Sequence, residues 1–224
     1  MEMTSKGAAG NITKPSAEKL MTNNSPLQIL RIDSSSRNTE SVSRQLTDHL
    51  MAKLLMEYPE AKVTTRDLTE GLSLPTEAFV DGSLYAMQNP TQDMKEAIAL
   101  SNEMVTELLA ADLIVLGLPV YNWTIPSTFK AYVDQITRLG LTFGYVEGVR
   151  QGFLRASNIY VLFTSGGTGI GSENDFATPY TTYLWRTLGV PNIHIIDASG
   201  LLFEAEEKIL NAKTQIDKLV LPFA

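Results

Sequence analysis

Three short stretches of the chain carry residue types able to bind a small molecule. The first is Ser34-Ser35-Ser36-Arg37, followed closely by Ser41-Val42-Ser43. Hydroxyls and a guanidinium at the start of a helix suit an anion, because the first helical amides are unpaired and the dipole is positive there. The same serines also suit plain helix capping. The second stretch is Tyr121-Asn122-Trp123, which follows the apolar run from Leu113 to Leu118 and Pro119. Two rings around an amide suit a flat ligand, although aromatics beside a proline can also be core at a strand end. The third is Thr164-Ser165-Gly166-Gly167, where the missing Cβ lets the backbone approach a ligand, or simply lets the chain turn.

The elements around these stretches read as an alternation of strands and helices. Strands are expected at 27–33, 62–68, 112–118, 157–164 and 192–197, the third as a mostly apolar run buried on both faces. Helices are expected from the Ser41-Val42-Ser43 turn to Pro59, and over 92–109, 127–138, 175–188 and 204–219. Residues 71–90 read as a long surface excursion, and 141–146 has no assigned type. Such alternation predicts an α/β fold with a parallel sheet. The three chemical stretches all follow strands, so they share the carboxyl edge, where open α/β sheets bind ligands.

Composition narrows the function. With 224 residues, 44% hydrophobic and 19% charged, the chain can bury one substantial core. A net charge of −7 argues against nucleic acid, which is held through basic phosphate contacts. The absence of cysteine removes disulfides, thiolate metal sites and a cysteine nucleophile, and two histidines argue against a histidine metal site. No apolar run is long enough for a membrane span. The expectation is a cytoplasmic protein. Residues 1–26 read as a disordered tail before a single domain over 27–224, and Met21 offers an alternative start.

The first loop has no glycine, which argues against a dinucleotide fingerprint after the first strand. A phosphate site, an aromatic shelf and a glycine wall along one edge instead suit flavin mononucleotide. The sheet to hold it is flavodoxin-like, doubly wound and five-stranded, with strand order 2-1-3-4-5 and helices on both faces.

At these residues the chain resembles the FMN-dependent NADH-azoreductases, also described as FMN-dependent NADH:quinone oxidoreductases. The resemblance rests on Asp33-Ser34-Ser35 with Ser41-Val42-Ser43, on the run from Leu118 to Ser127, and on Lys130-Ala131-Tyr132-Val133-Asp134. Gly140-Leu141-Thr142-Phe143 with Tyr145, Thr164-Ser165-Gly166-Gly167 and Thr178-Pro179-Tyr180 extend it. It implies that Ser35, Ser41, Val42 and Ser43 hold the FMN phosphate. Val120, Tyr121, Asn122 and Trp123 would line the ring system, and Thr164, Ser165, Gly166 and Gly167 would meet its polar edge. It also implies a homodimer with the flavin near the interface and Tyr145 in the substrate pocket. Gly144 and Ser165 stand where relatives often carry arginine, so positive charge is removed near that pocket.

The implied activity is two-electron reduction of quinones and azo compounds by NADH or NADPH, with ping-pong kinetics. Flavin carries the hydride, so no catalytic side chain is required, and Asn122 assists by hydrogen bonding. No metal is expected. One alternative is a flavodoxin-type electron carrier without its own NAD(P)H-reductase activity, and another is a regulatory module that has lost the cofactor. His194 reads as a packed or edge histidine and His49 as part of a solvated helix face. Trp185 and Tyr183 read as core or dimer contacts.

Overall fold

Strands β3 (Leu113–Pro119) and β6 (Asn158–Thr164) are buried along their whole length, and their mostly apolar sequences suit strands covered on both faces. A computed structural model describes residues 25–85 and 89–223. The tail expected before residue 27 lies outside the described residues, apart from Ser25 and Pro26. The sheet is completed by β1 (Gln28–Asp33), β2 (Lys62–Asp67) and β7 (Asn192–Ala198). Its order is β2-β1-β3-β6-β7 and every pairing is parallel. This is the expected 2-1-3-4-5 arrangement, renumbered because a two-stranded antiparallel hairpin, β4 (Phe143–Val146) with β5 (Val149–Gly152), is inserted before β6.

Helix α1 (Val42–Glu57) and helix α7 (Leu201–Asp217) cover one face. Leu46, Leu50, Leu54, Ala212 and Ile216 pack there with Ile29, Val115 and Leu162. On the other face lie α4 (Ala99–Ala110), α5 (Ser127–Ile136) and α6 (Ala177–Leu188). Met104, Leu108, Phe129, Tyr132 and Trp185 pack there with Leu30, Ile114, Leu116 and Val161. The chain leaves β1 toward β2, then returns to place β3 on the other side of β1. The loops after β1 and β3 therefore meet at the switch point.

Four expectations require correction. The surface excursion at 71–90 contains helix α2 (Glu77–Tyr85). Its central Gly82 reads as a turn in sequence but serves a close approach, since a Cβ there would lie 2.9 Å from Ile98 Cγ2. The single helix over 92–109 is broken into α3 (Gln92–Ala97) and α4 at Ile98, whose ψ of −1° interrupts the helix while its side chain stays buried. The untyped segment 141–146 supplies β4. The closing helix starts three residues early, at Leu201, and carries a non-helical Glu204 where two pieces join.

The hairpin is fixed to α6 through backbone. A Cβ at Gly152 would lie 2.0 Å from the Leu188 carbonyl carbon and 2.1 Å from the Gly189 nitrogen. Gly189 ends α6 with a φ of 106°, the left-handed conformation that favours glycine. The Leu154 amide then donates to the Leu188 carbonyl at 3.0 Å. Backbone contact this tight admits no side chain.

Candidate functional site

The three chemical stretches meet in one cleft of about 260 Å³ at the carboxyl edge of β1, β3 and β6. Ser35, Ser41, Val42, Ser43, Val120, Tyr121, Thr164, Ser165 and Gly166 line it, as the sequence suggested. Asn122, Trp123 and Gly167 flank it without lining it. Tyr145 stands on β4, exposed, and does not line the cleft. Sequence reasoning missed Pro119, Leu201 and Leu202, which close the cleft, while Arg37 and Glu40 add one charge of each sign.

At one end the start of α1 presents its amides. Ser41 caps the helix, its Oγ accepting from the Arg44 amide at 3.4 Å and lying 3.1 Å from Ser43 Oγ. The amides of Val42 and Ser43 precede the first helical hydrogen bond, which runs from Gln45 to the Ser41 carbonyl at 3.0 Å. Free amides, paired hydroxyls, the helix dipole and Arg37 together fit a phosphate. Ser34 serves the scaffold instead. It is fully buried, and its Oγ donates to the Gly117 carbonyl at 2.7 Å, tying the loop to β3.

Arg44 holds that loop in shape. Its Nε donates to the Arg37 carbonyl at 2.9 Å and its Nη2 to the Ser35 carbonyl at 3.1 Å. The same guanidinium grips both Asp67 oxygens, at 2.6 and 2.8 Å. This fork holds the Asp67 carboxyl down at about 2, with further help from the amide and hydroxyl of Thr69. Such a clamp depends on a partner on β2, so the serine loop alone could not reveal it.

The middle of the cleft is built by an unusual turn. Tyr121 and Thr124 exchange two backbone hydrogen bonds, at 2.9 and 3.2 Å, closing a two-residue turn. Both central residues are left-handed, with φ of 50° at Asn122 and 69° at Trp123. Left-handed backbone is uncommon outside glycine and is an outlier for so bulky a residue as tryptophan. Conformations of this kind cluster at functional sites. Trp123 remains 60% exposed. The Tyr121 hydroxyl reaches back to the serine loop, lying 3.2 Å from Ser35 Oγ and accepting from the Ser36 amide at 3.2 Å. One phenol thus couples the anion end to the aromatic shelf.

The third wall is backbone. The Val120 amide donates to the Thr164 carbonyl at 2.8 Å, locking the second loop to the third. The amides of Leu201 and Leu202 donate to the carbonyls of Ser165 and Gly166, each at 3.0 Å. Leu202 lies over Gly166, where a Cβ would meet its Cδ1 at 3.0 Å. Ser165 Oγ donates to the Thr168 carbonyl, so the loop is also tied to itself.

Neither histidine belongs to this cleft. His194 stacks on Tyr160 with ring centroids 4.7 Å apart, and its Nε2 pairs with Asn158 Oδ1 at 2.9 Å. His49 hydrogen-bonds Asp217 at 2.8 Å, so its helix face carries a hydrogen-bond partner as well as solvent. Trp185 is fully buried core, whereas Tyr183 is exposed. Among the described residues no group of histidine, aspartate and glutamate could hold a metal.

A family model described as "Flavodoxin-like fold" matches residues 28–220. The FMN-dependent NADH:quinone oxidoreductase 1 of Jannaschia sp. is 38% identical over 191 residues, covering 85% of this chain and 97% of that protein. The enzyme of the same name from Hahella chejuensis is 35% identical over 189 residues, covering 84% and 93%. The chain belongs to this family. Solved structures agree with the fold: azoreductase AzrA superposes with a TM-score of 0.78 at 25% identity, covering 85% of this chain and 97% of that one. An azoreductase from Bacillus anthracis gives the same TM-score and identity, covering 86% and 97%. The shared region contains the serine loop, the Tyr121 turn and the glycine loop, which are the walls of the cleft.

Proposed function

We propose that this protein is an FMN-dependent NADH:quinone oxidoreductase that also reduces azo compounds. The single observation that carries the reading is the convergence of three loops in one cleft, with an anion end, an aromatic shelf and a backbone wall. Family membership supports the same activity. The start of α1, Ser35 and Arg37 would hold the phosphate. Val120, Tyr121, Asn122 and Trp123 would flank the ring system, and Thr164 to Gly167 would meet its polar edge through backbone and hydroxyl groups. Bound flavin supplies the hydride chemistry. The chain's part is to orient the ring and to offer preorganised donors where negative charge develops.

At about 260 Å³ the cleft is smaller than the roughly 300–1,000 Å³ of enclosed small-molecule pockets. An open shelf of this kind leaves room for donor and acceptor to use one slot in turn, which gives ping-pong kinetics. Double-reciprocal plots at several quinone concentrations should then be parallel, and intersecting lines would reject the shared slot. The protein acts as a homodimer, a reading supported by the exposed Leu139, Leu141, Tyr145 and Val149 on and beside the hairpin. In that dimer Tyr145 would complete a partner's pocket. Among the described residues no helix is long and apolar enough to cross a membrane, and a cytoplasmic location suits the cysteine-free sequence. Residues from 27 onward form one domain.

The experiment is an absorbance spectrum of purified protein, followed by NADH without air and then menadione. Flavin absorption that bleaches and returns supports the enzyme. Flavin that NADH leaves unchanged identifies an electron carrier, and a colourless protein that ignores added FMN overturns both.

A further inference from the structure

The chain has eight arginines, and their partners divide them sharply. Arg31, Arg44, Arg66 and Arg155 reach carboxylates. Arg138 is buried against Ser101 and Asn102, and Arg37 lines the cleft described above. The remaining two, Arg150 and Arg186, line the same second cavity of about 560 Å³, between the hairpin, α6 and the loop after β6. Neither forms an ion pair among the described residues. In a chain of net charge −7, two arginines without carboxylates on one cavity require an explanation.

The cavity is arranged to keep those charges available. Arg150 is steadied by Tyr183: its Nη2 donates to the phenol oxygen at 2.9 Å, and its guanidinium carbon lies 5.5 Å from the ring centroid. That contact uses one of five guanidinium donors. Arg150 in turn pushes the Tyr183 hydroxyl below its ordinary pKa. Asp175 is the one carboxylate in the lining, and its oxygens are occupied by backbone. Oδ1 accepts from the amides of Ala177 and Thr178 at 3.2 and 2.9 Å, and Oδ2 from the Gly171 amide at 2.9 Å. Ile170, Pro179 and the Tyr183 ring supply apolar surface beside the charges. The loop that lines the cleft at Ser165 and Gly166 runs on to line this cavity at Ile170, Gly171 and Asp175, so one loop serves both sites.

We propose that this cavity is an anion subsite, taking the sulfonate, carboxylate or phosphate of an aromatic compound whose flat part rests on Tyr183 and its apolar neighbours. Guanidinium groups suit such oxyanions through paired N–H donors. The inference rests on the oxidoreductase reading for its physiological source. That source is either an acidic acceptor or the phosphate-bearing half of the pyridine nucleotide.

The test compares intact flavin-loaded wild type with the double variant Arg150→Gln, Arg186→Gln, using menadione as a neutral acceptor and anthraquinone-2-sulfonate as an anionic one. A rise of about tenfold in KM for the sulfonate, with menadione within twofold, supports an acceptor subsite. A rise in KM for NADH with either acceptor supports the subsite and assigns it to the donor. Calorimetric titration of oxidised protein with anthraquinone-2-sulfonate, and separately with NAD+, reads binding without turnover. Weaker binding in the double variant, restored in part by Arg150→Lys, Arg186→Lys, supports the subsite. All constants and both affinities unchanged would overturn it. If wild type fails to reduce menadione, the enzymatic reading falls while the calorimetry still decides the subsite.

Discussion

Replacing Arg44 with alanine tests whether the serine loop owes its shape to a clamp from outside it. The side chain holds the Ser35 and Arg37 carbonyls from above and Asp67 from below, and only 15% of it is exposed. Its loss removes the tethers on the Ser35 and Arg37 carbonyls, while the Tyr121 hydroxyl still holds Ser35 and Ser36. Counting the two carbonyl tethers at about 1 kcal/mol each gives about 2 kcal/mol transferred to the binding step. That corresponds to roughly 30-fold weaker FMN binding, at about 1.4 kcal/mol per factor of ten. Titration of deflavinated protein with FMN, followed by flavin fluorescence, measures it directly. Arg44→Lys keeps the charge without the fork and should fall between the two. An FMN dissociation constant within twofold of wild type, together with a lowered melting temperature, would refute the argument. Arg44 would then merely staple α1 to β2.

Other perturbations follow from the same geometry. Asp67 is held at about 2 against an ordinary 3.8, so its folded value lies below its unfolded one. The stability it contributes is complete above about pH 4 and disappears as pH falls toward about 2; urea midpoints for Asp67→Asn should lose that acid limb. Tyr121→Phe removes the hydroxyl shared by Ser35 and Ser36 and should raise the FMN dissociation constant about fivefold, as a lost hydrogen bond of ~1 kcal/mol implies. Gly152→Ala forces a Cβ into the backbone at Leu188 and Gly189 and should cost about 3 kcal/mol or more, lowering the melting temperature by roughly 10 °C. Gly169→Ala, where no atom lies within 4 Å of the added Cβ, should leave it unchanged.

The parts legible in sequence were those governed by local pattern. The mostly apolar run of β3 declared a strand covered on both faces, and nine of the twelve residues expected at the cofactor line the cleft. What escaped reading depends on partners distant in the chain. The apolar spacing of Met94, Ile98, Met104 and Leu108 runs straight through a break that only the dihedral angles at Ile98 create. Gly82 has the look of a loop residue because its neighbour, Ile98, lies beyond its own helix. Arg44 resembles any exposed helical arginine until Asp67, 23 residues away, is brought beneath it. Leu201 and Leu202 join the cleft because their amides bond to the glycine loop, a contact that no periodicity encodes.

The backbone contact between Gly152 and Gly189 has a consequence for selectivity. Arg150 precedes one glycine by two residues and Arg186 precedes the other by three, so both guanidinium groups spring from a single rigid joint. Side-chain rotation can adjust their tips, but the separation of their Cα atoms cannot relax without parting the hairpin from α6. If the proposed subsite takes an anion, such a pair would act as a caliper set by the backbone, ranking anions by the reach between their acidic group and their ring, with only side-chain rotation to take up a mismatch.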